Sequence, residues 1–155
     1  MKLLAATLIS ALPLLAPAAR AEAHCALVAE LNRVLTETTA YAPVPCPEIG
    51  FSALQGVPGM GSQAGAYFPR TGRIELAPDL DLATAYGQSF LLHEMVHAAQ
   101  FAAGADRTAP CLAALEAEAY AVQAQFLQAA GLGRDAVLTR MIGGQLGSCG
   151  RQPDY

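Results

Sequence analysis

Leu27, Leu31, Val34 and Leu35 recur at helical spacing after Cys25 and predict a first helix over roughly residues 25–40. "YAPVPCP" ends it, because proline cannot continue a helix and pushes its predecessor toward extended backbone. The pattern then shifts to glycine-rich chain with short extended candidates, "EIGFSAL", "GAYFP" and "GRIELA". The last two flank "RTG" as a hairpin, or as adjacent strands of a small sheet. After "PDLDLATAYGQ" comes the longest apolar segment, predicting a helix to about residue 103 with Asp81 or Ser89 as cap and Gly104 as stop. "TAPCLAALEAEAYAVQAQFLQAAG" predicts another, capped by Thr108, with Pro110 in its first turn, Gly131 at its end and an apolar stripe of Leu112, Leu115, Ala119, Val122 and Phe126. "RDAVLTRMI" predicts a short last helix. One helix, a small sheet and a helical half make an α+β domain.

The start of the chain changes that picture. "MKLLAATLISALPLLAPAARAEA" has one basic residue near its start, an apolar stretch interrupted by Pro13 and Pro17, and small residues at its end. That is the layout of a secretory signal over residues 1–23, with cleavage after Ala21 or Ala23 and a single domain over residues 24–155. No later segment supplies the about 20 apolar residues of a membrane span, so no anchor is expected after cleavage and the protein is expected to be periplasmic or secreted. Cys25, Cys46, Cys111 and Cys149 all survive cleavage, and an even count in an oxidising compartment reads as two disulfides. Cys25–Cys46 and Cys111–Cys149 are the expected pairs, since each ties together neighbouring elements. The formal net charge is −4, and no basic stripe exists to hold a nucleic acid.

Candidate chemistry lies in "LLHEMVHAAQ". His93, His97 and Gln100, at i, i+4 and i+7, fall on one helical stripe, and between Ser89 and Ala103 the only formally charged residue is Glu94. A helix so poor in charge is expected to be buried on most sides with one polar stripe. Two imidazoles one turn apart can reach a single Zn²⁺, while Glu94 projects beside the ion and can take a proton from a water that the metal activates. His93 and His97 are therefore expected ligands, Glu94 the general base, and Gln100 a hydrogen-bonding neighbour. One Zn²⁺ per chain is the expected cofactor. The chain has 3 histidines, and the remaining one, His24, would chelate copper through a free amine if it became the mature N-terminus.

Catalytic zinc normally keeps three protein ligands. A histidine close behind, as in HExxHxxGxxH, is absent, because Gln100 replaces the glycine and Ala103 the histidine. Asp106 falls in the turn and is expected to cap or face solvent. Glu116 and Glu118 lie on the next helix, which can fold back antiparallel, and helical phase alone leaves both open.

"HEMVH" followed after eighteen residues by Glu116 resembles the HExxH-x18-E arrangement of gluzincin metallopeptidases. "EAEAY" is similar to their ExxxD pattern, with Tyr120 in place of the aspartate. The stretch from "AYFPRTGRIELAP" to "CLAALEAEAYAVQAQFL" also resembles small exported bacterial zincin-like proteins of largely unassigned function. The resemblance implies a minimal zincin-like domain: an edge strand, "GAYFP" or "GRIEL", that pairs with extended peptide, a helix carrying HExxH, and a glutamate helix supplying Glu116 as third ligand. It implies a zinc metallopeptidase acting on exported peptides or proteins, or a zinc-retaining binding module derived from one. Two parts of the family pattern are missing: the acidic residue that orients a ligand histidine, replaced by Tyr120, and a downstream residue that stabilises the transition state. Tyr67, Tyr86, Tyr120 and Arg70 are candidates for the latter.

Overall fold

A computed structural model describes residues 17–54 and 63–150. Residues 1–16 of the expected signal segment lie outside the described residues, and the chain from Pro17 enters the first helix, α1 (Pro17–Thr38). Val28, Leu31 and Leu35 form its buried stripe, with Leu27 and Val34 partly buried beside them. After α1 the proline-rich segment runs along the helix instead of leaving it. The Asn32 amide accepts from the Val44 N–H (2.9 Å) and donates to the Val44 carbonyl (2.8 Å), and Cys25–Cys46 links the two runs covalently.

That segment delivers β1 (Ile49–Phe51), which pairs parallel with β3 (Arg73–Leu76); β2 (Gly65–Phe68) pairs antiparallel with β3. Gly72, at φ 68°, supplies the left-handed residue that the tight β2–β3 turn requires. The order β1-β3-β2 makes "GRIEL" the central strand and corrects its candidacy as the edge; "GAYF" is an edge. Alternation sorts β3 by face: Ile74 and Leu76 are fully buried in the core, while Glu75 points the other way to Arg73 and Ser52.

The long helix α2 (Ala85–Ala102) begins at neither expected cap. Thr84 is the cap, accepting from the Gly87 N–H, whereas Asp81 closes the preceding turn onto Ala83 and Ser89 is buried inside the helix. Gly104, at φ 74°, stops it as expected. Leu91, Leu92, Met95 and Val96 are fully buried against α1 and the sheet. A single turn, α3 (Ala105–Thr108), occupies the connection, so Thr108 ends that turn instead of capping the glutamate helix. The glutamate helix α4 (Leu112–Ala129) starts after Cys111, with Pro110 outside it. Leu115, Ala119 and Val122 are buried as the stripe predicted, but Leu112, the first residue of the helix, is exposed.

The last helix, α5 (Gly133–Leu146), runs on through "GGQL", beyond its expected end. Close packing on α4 accounts for the first of these glycines: a Cβ on Gly143 would lie 2.5 Å from Tyr120 Cβ. Cys111–Cys149 ties the start of α4 to the end of α5. The protein is thus α+β, with α2 packed between the sheet and α4, and α4 between α2 and α5. Among the described residues no helix is long and apolar enough to cross a membrane.

Candidate metal centre

Facing surfaces of α2 and α4 bring three side chains together. His93 Nε2 and His97 Nε2 are 3.1 Å apart, one turn from each other on α2. The Glu116 carboxylate on α4 approaches both, at 3.4 Å from His93 Nε2 and 3.3 Å from His97 Nε2. One donor atom from each lies within 4.8 Å of the others, so the group can hold a metal ion. Its two nitrogens and one oxygen match the donors zinc accepts. The side chains are 7%, 12% and 40% exposed in the order His93, His97, Glu116, so solvent reaches the group from the Glu116 side.

Hydrogen bonds at the far side of each imidazole determine which nitrogen carries its proton. His97 Nδ1 lies 2.8 Å from Gln100 Oε1. The orientation of that amide is set at its other end, where Gln100 Nε2 donates to the Leu115 carbonyl (3.0 Å) and to Glu118 Oε2 (2.9 Å), two atoms that can only accept. Gln100 Oε1 therefore faces His97 as an acceptor, and His97 Nδ1 must donate. The same logic runs through His93. Its Nδ1 lies 3.0 Å from Gln123 Oε1, Gln123 Nε2 donates to Ser89 Oγ, and the Ser89 hydroxyl donates to the Tyr86 carbonyl. Ser89 has one proton, given to Tyr86, so it accepts from Gln123 and the amide is fixed. Both histidines thus present their Nε2 toward Glu116.

Glu118, the rival third ligand, stands one layer back. It accepts from Gln100 and from the Tyr41 hydroxyl (2.8 Å), tying the site to the segment that follows α1. Burial, reinforced by that bond and the negative charge of Glu118, pushes the Tyr41 hydroxyl up to about 12. Asp106 on α3 and His24 on α1, whose ring lies 6.1 Å from Phe51, are outside the metal-capable group.

Charge within the group is strongly coupled. Burial acts to raise the Glu116 carboxyl, but hydrogen bonds and charge interactions with His93 and His97 outweigh it and hold the group well below the usual carboxylate range. Burial acts to lower His97, yet the bond to Glu116, the charges of Glu94 and Glu116, and Gln100 lift it to about 9. Glu94 is buried beside the group without joining it. Burial pushes its carboxyl up, opposed by both histidines and by the Tyr67 backbone N–H that it accepts, and supported by Glu116. Gly65 permits that position, since a Cβ there would lie 2.6 Å from Glu94 Oε1.

Of the four candidates for a further site residue, Tyr120 has its ring against His93, at 4.4 Å between centroids. Burial, then the charges of Glu116 and Glu94, push its hydroxyl up to about 12. Tyr67 and Tyr86 turn their rings onto Phe101 and Phe90. Arg70 sits in the β2–β3 turn. Sequence reasoning missed Ser89 and Gln123 as supports. The available signal was Gln123 itself, an amide one turn beyond Tyr120 on the face that carries Glu116.

A family model described as "Domain of unknown function (DUF6647)" matches residues 20–143. No curated protein and no solved structure matches the chain.

Proposed function

The chain belongs to the DUF6647 family, whose description assigns no activity, and we propose from the site itself that it is a zinc-dependent metallopeptidase of gluzincin type acting on exported peptides or proteins. The observation that carries this reading is the convergence of His93 Nε2, His97 Nε2 and the Glu116 carboxylate beside a buried, non-ligating Glu94. His93, His97 and Glu116 would hold the ion. When bound, zinc supplies Lewis acidity that polarises a carbonyl and acidifies water.

Glu94 then does the proton work at its carboxylate oxygens, taking a proton from the attacking water and handing it to the departing amine nitrogen. Burial raises its pKa and so suits it to both tasks. The free edge of β2 offers main-chain groups for an extended substrate. Two disulfides fit an oxidising compartment, and the proposed place of action is the periplasm or the medium.

A second reading, a zinc-retaining binding module without turnover, is favoured by one contact. The Ala77 N–H donates to the Ala64 carbonyl, and antiparallel alternation from that bond turns the Tyr67 N–H to the open edge, where Glu94 already accepts it. Purified protein assayed for zinc content and for cleavage of a peptide library separates the two. A peptidase binds about one zinc per chain and cleaves, and Glu94→Gln lowers turnover by at least about 10²-fold with zinc retained. Zinc binding without cleavage supports the module, and cleavage undiminished in Glu94→Gln overturns the assigned mechanism.

A further inference from the structure

Gln100 and Gln123 touch neither a prospective substrate nor the face where the metal donors converge, yet both are almost wholly buried. Each bridges a ligand histidine to a fixed acceptor: Gln100 to the Leu115 carbonyl and Glu118, Gln123 to Ser89, whose proton is engaged by the Tyr86 carbonyl. We propose that these two carboxamides are positioning residues that lock His93 and His97 in the Nδ1–H form, so that zinc affinity depends on two neutral side chains remote from the ion.

The physical argument is that an imidazole has two nitrogens and only its unprotonated one can bind metal. An isolated amide could turn over and offer its NH2 to Nδ1, which would leave the proton on Nε2 and close the site. Here turning over is costly in both places. It would set the Gln100 oxygen against a carboxylate and a carbonyl, and would leave Ser89 Oγ and Gln123 Oε1 without a shared proton unless Ser89 gave up Tyr86. Buried polar groups left without a partner are unfavourable, so each amide keeps the orientation that satisfies both of its ends. Both residues are neutral, so with Glu116 the only anionic ligand a divalent ion keeps a net positive charge. Carboxylates in the same places would remove it.

This inference rests on the metal reading of the site, and the test separates the two. Zinc dissociation constants are measured by chelator competition for wild type, Gln100→Leu, Gln123→Leu and Gln123→Glu. Nδ1 protons are observed by NMR on the zinc-loaded protein with ¹⁵N-labelled histidine. Two slowly exchanging, downfield Nδ1–H resonances are expected in wild type. Each leucine variant should lose one of them and bind zinc ~10–100-fold more weakly, whereas Gln123→Glu, which keeps an acceptor, should bind at least as tightly as wild type.

Ser89→Ala, which frees the Gln123 amide without touching His93, should broaden the His93 resonance and weaken zinc several-fold even if the leucine variants do not fold. No zinc binding by wild type overturns the metal reading and this inference with it. If wild type binds zinc and the leucine or Ser89→Ala variants match it, or if Gln123→Glu falls as far as Gln123→Leu, the positioning role alone is overturned.

Discussion

At the scale of single residues, Glu116 and Glu118 are two positions apart on one helix and have separate tasks. Glu116 reaches the imidazole Nε2 atoms, while Glu118 anchors Gln100 and Tyr41. Glu116→Ala is expected to abolish stoichiometric zinc, whereas Glu118→Ala keeps zinc and loses about 1–3 kcal/mol of stability through the abandoned partners, read by metal analysis beside denaturant unfolding. The pH response follows from the same residues. In metal-free protein the raised His97 pKa means that its stabilisation is complete below 6.5 and is lost as pH rises through about 9. The depressed Glu116 carboxyl gives stabilisation that is present above 4.5 and lost on acidification. Metal-free stability from this pair is therefore greatest between 4.5 and 6.5. Zinc needs His97 neutral, so its affinity should rise with pH toward 9, with release of about one proton, measurable by calorimetry in buffers of different ionisation heat.

At the scale of elements, α5 shows where helix propensity and packing disagree. Its neighbouring glycines look alike in sequence but meet different surroundings: a Cβ on Gly143 would lie 2.5 Å from Tyr120 Cβ, and one on Gly144 would meet nothing within 4 Å. Gly144→Ala should stabilise by about 0.5–1 kcal/mol, since alanine orders more readily in a helix. Gly143→Ala should instead cost about 1–3 kcal/mol by pushing α5 away from α4. Because Tyr120 also packs on His93, Gly143→Ala should perturb the histidine resonances and Gly144→Ala should not. Thermal melts with NMR of the two variants check both.

At the scale of the whole molecule, two covalent links fasten the outer helices, α1 to the segment that leads into β1 and α5 to the start of α4. Cys25–Cys46 closes a separation of 21 residues and Cys111–Cys149 one of 38. Replacing either pair with serine should cost about 3–4 kcal/mol, with the longer closure the more costly by a few tenths, as measured by equilibrium unfolding. Zinc should recover part of the loss in the Cys111–Cys149 variant, because an ion held by His93, His97 and Glu116 would join α2 to α4, whose start that disulfide restrains.

The sequence alone determined whatever depends on neighbours along the chain. HExxH placed both imidazoles on one face because helical periodicity is local, and the small sheet and helical half were legible from spacing and breakers. The expected disulfide pairs are the observed ones. Local signals also misled where competing caps existed, as with Asp81, Ser89 and Thr108. Only the tertiary structure decided between Glu116 and Glu118, because helical phase admits both and the packing of α4 on α2 selects one. It alone made β3 the central strand and β2 an edge, turned Ser89 from an expected cap into a hydrogen-bond partner of Gln123, and set Gln100 and Gln123 behind the two imidazoles. Those outcomes rest on contacts between residues distant in sequence, where a hydrogen bond's partner is set by how two helices meet.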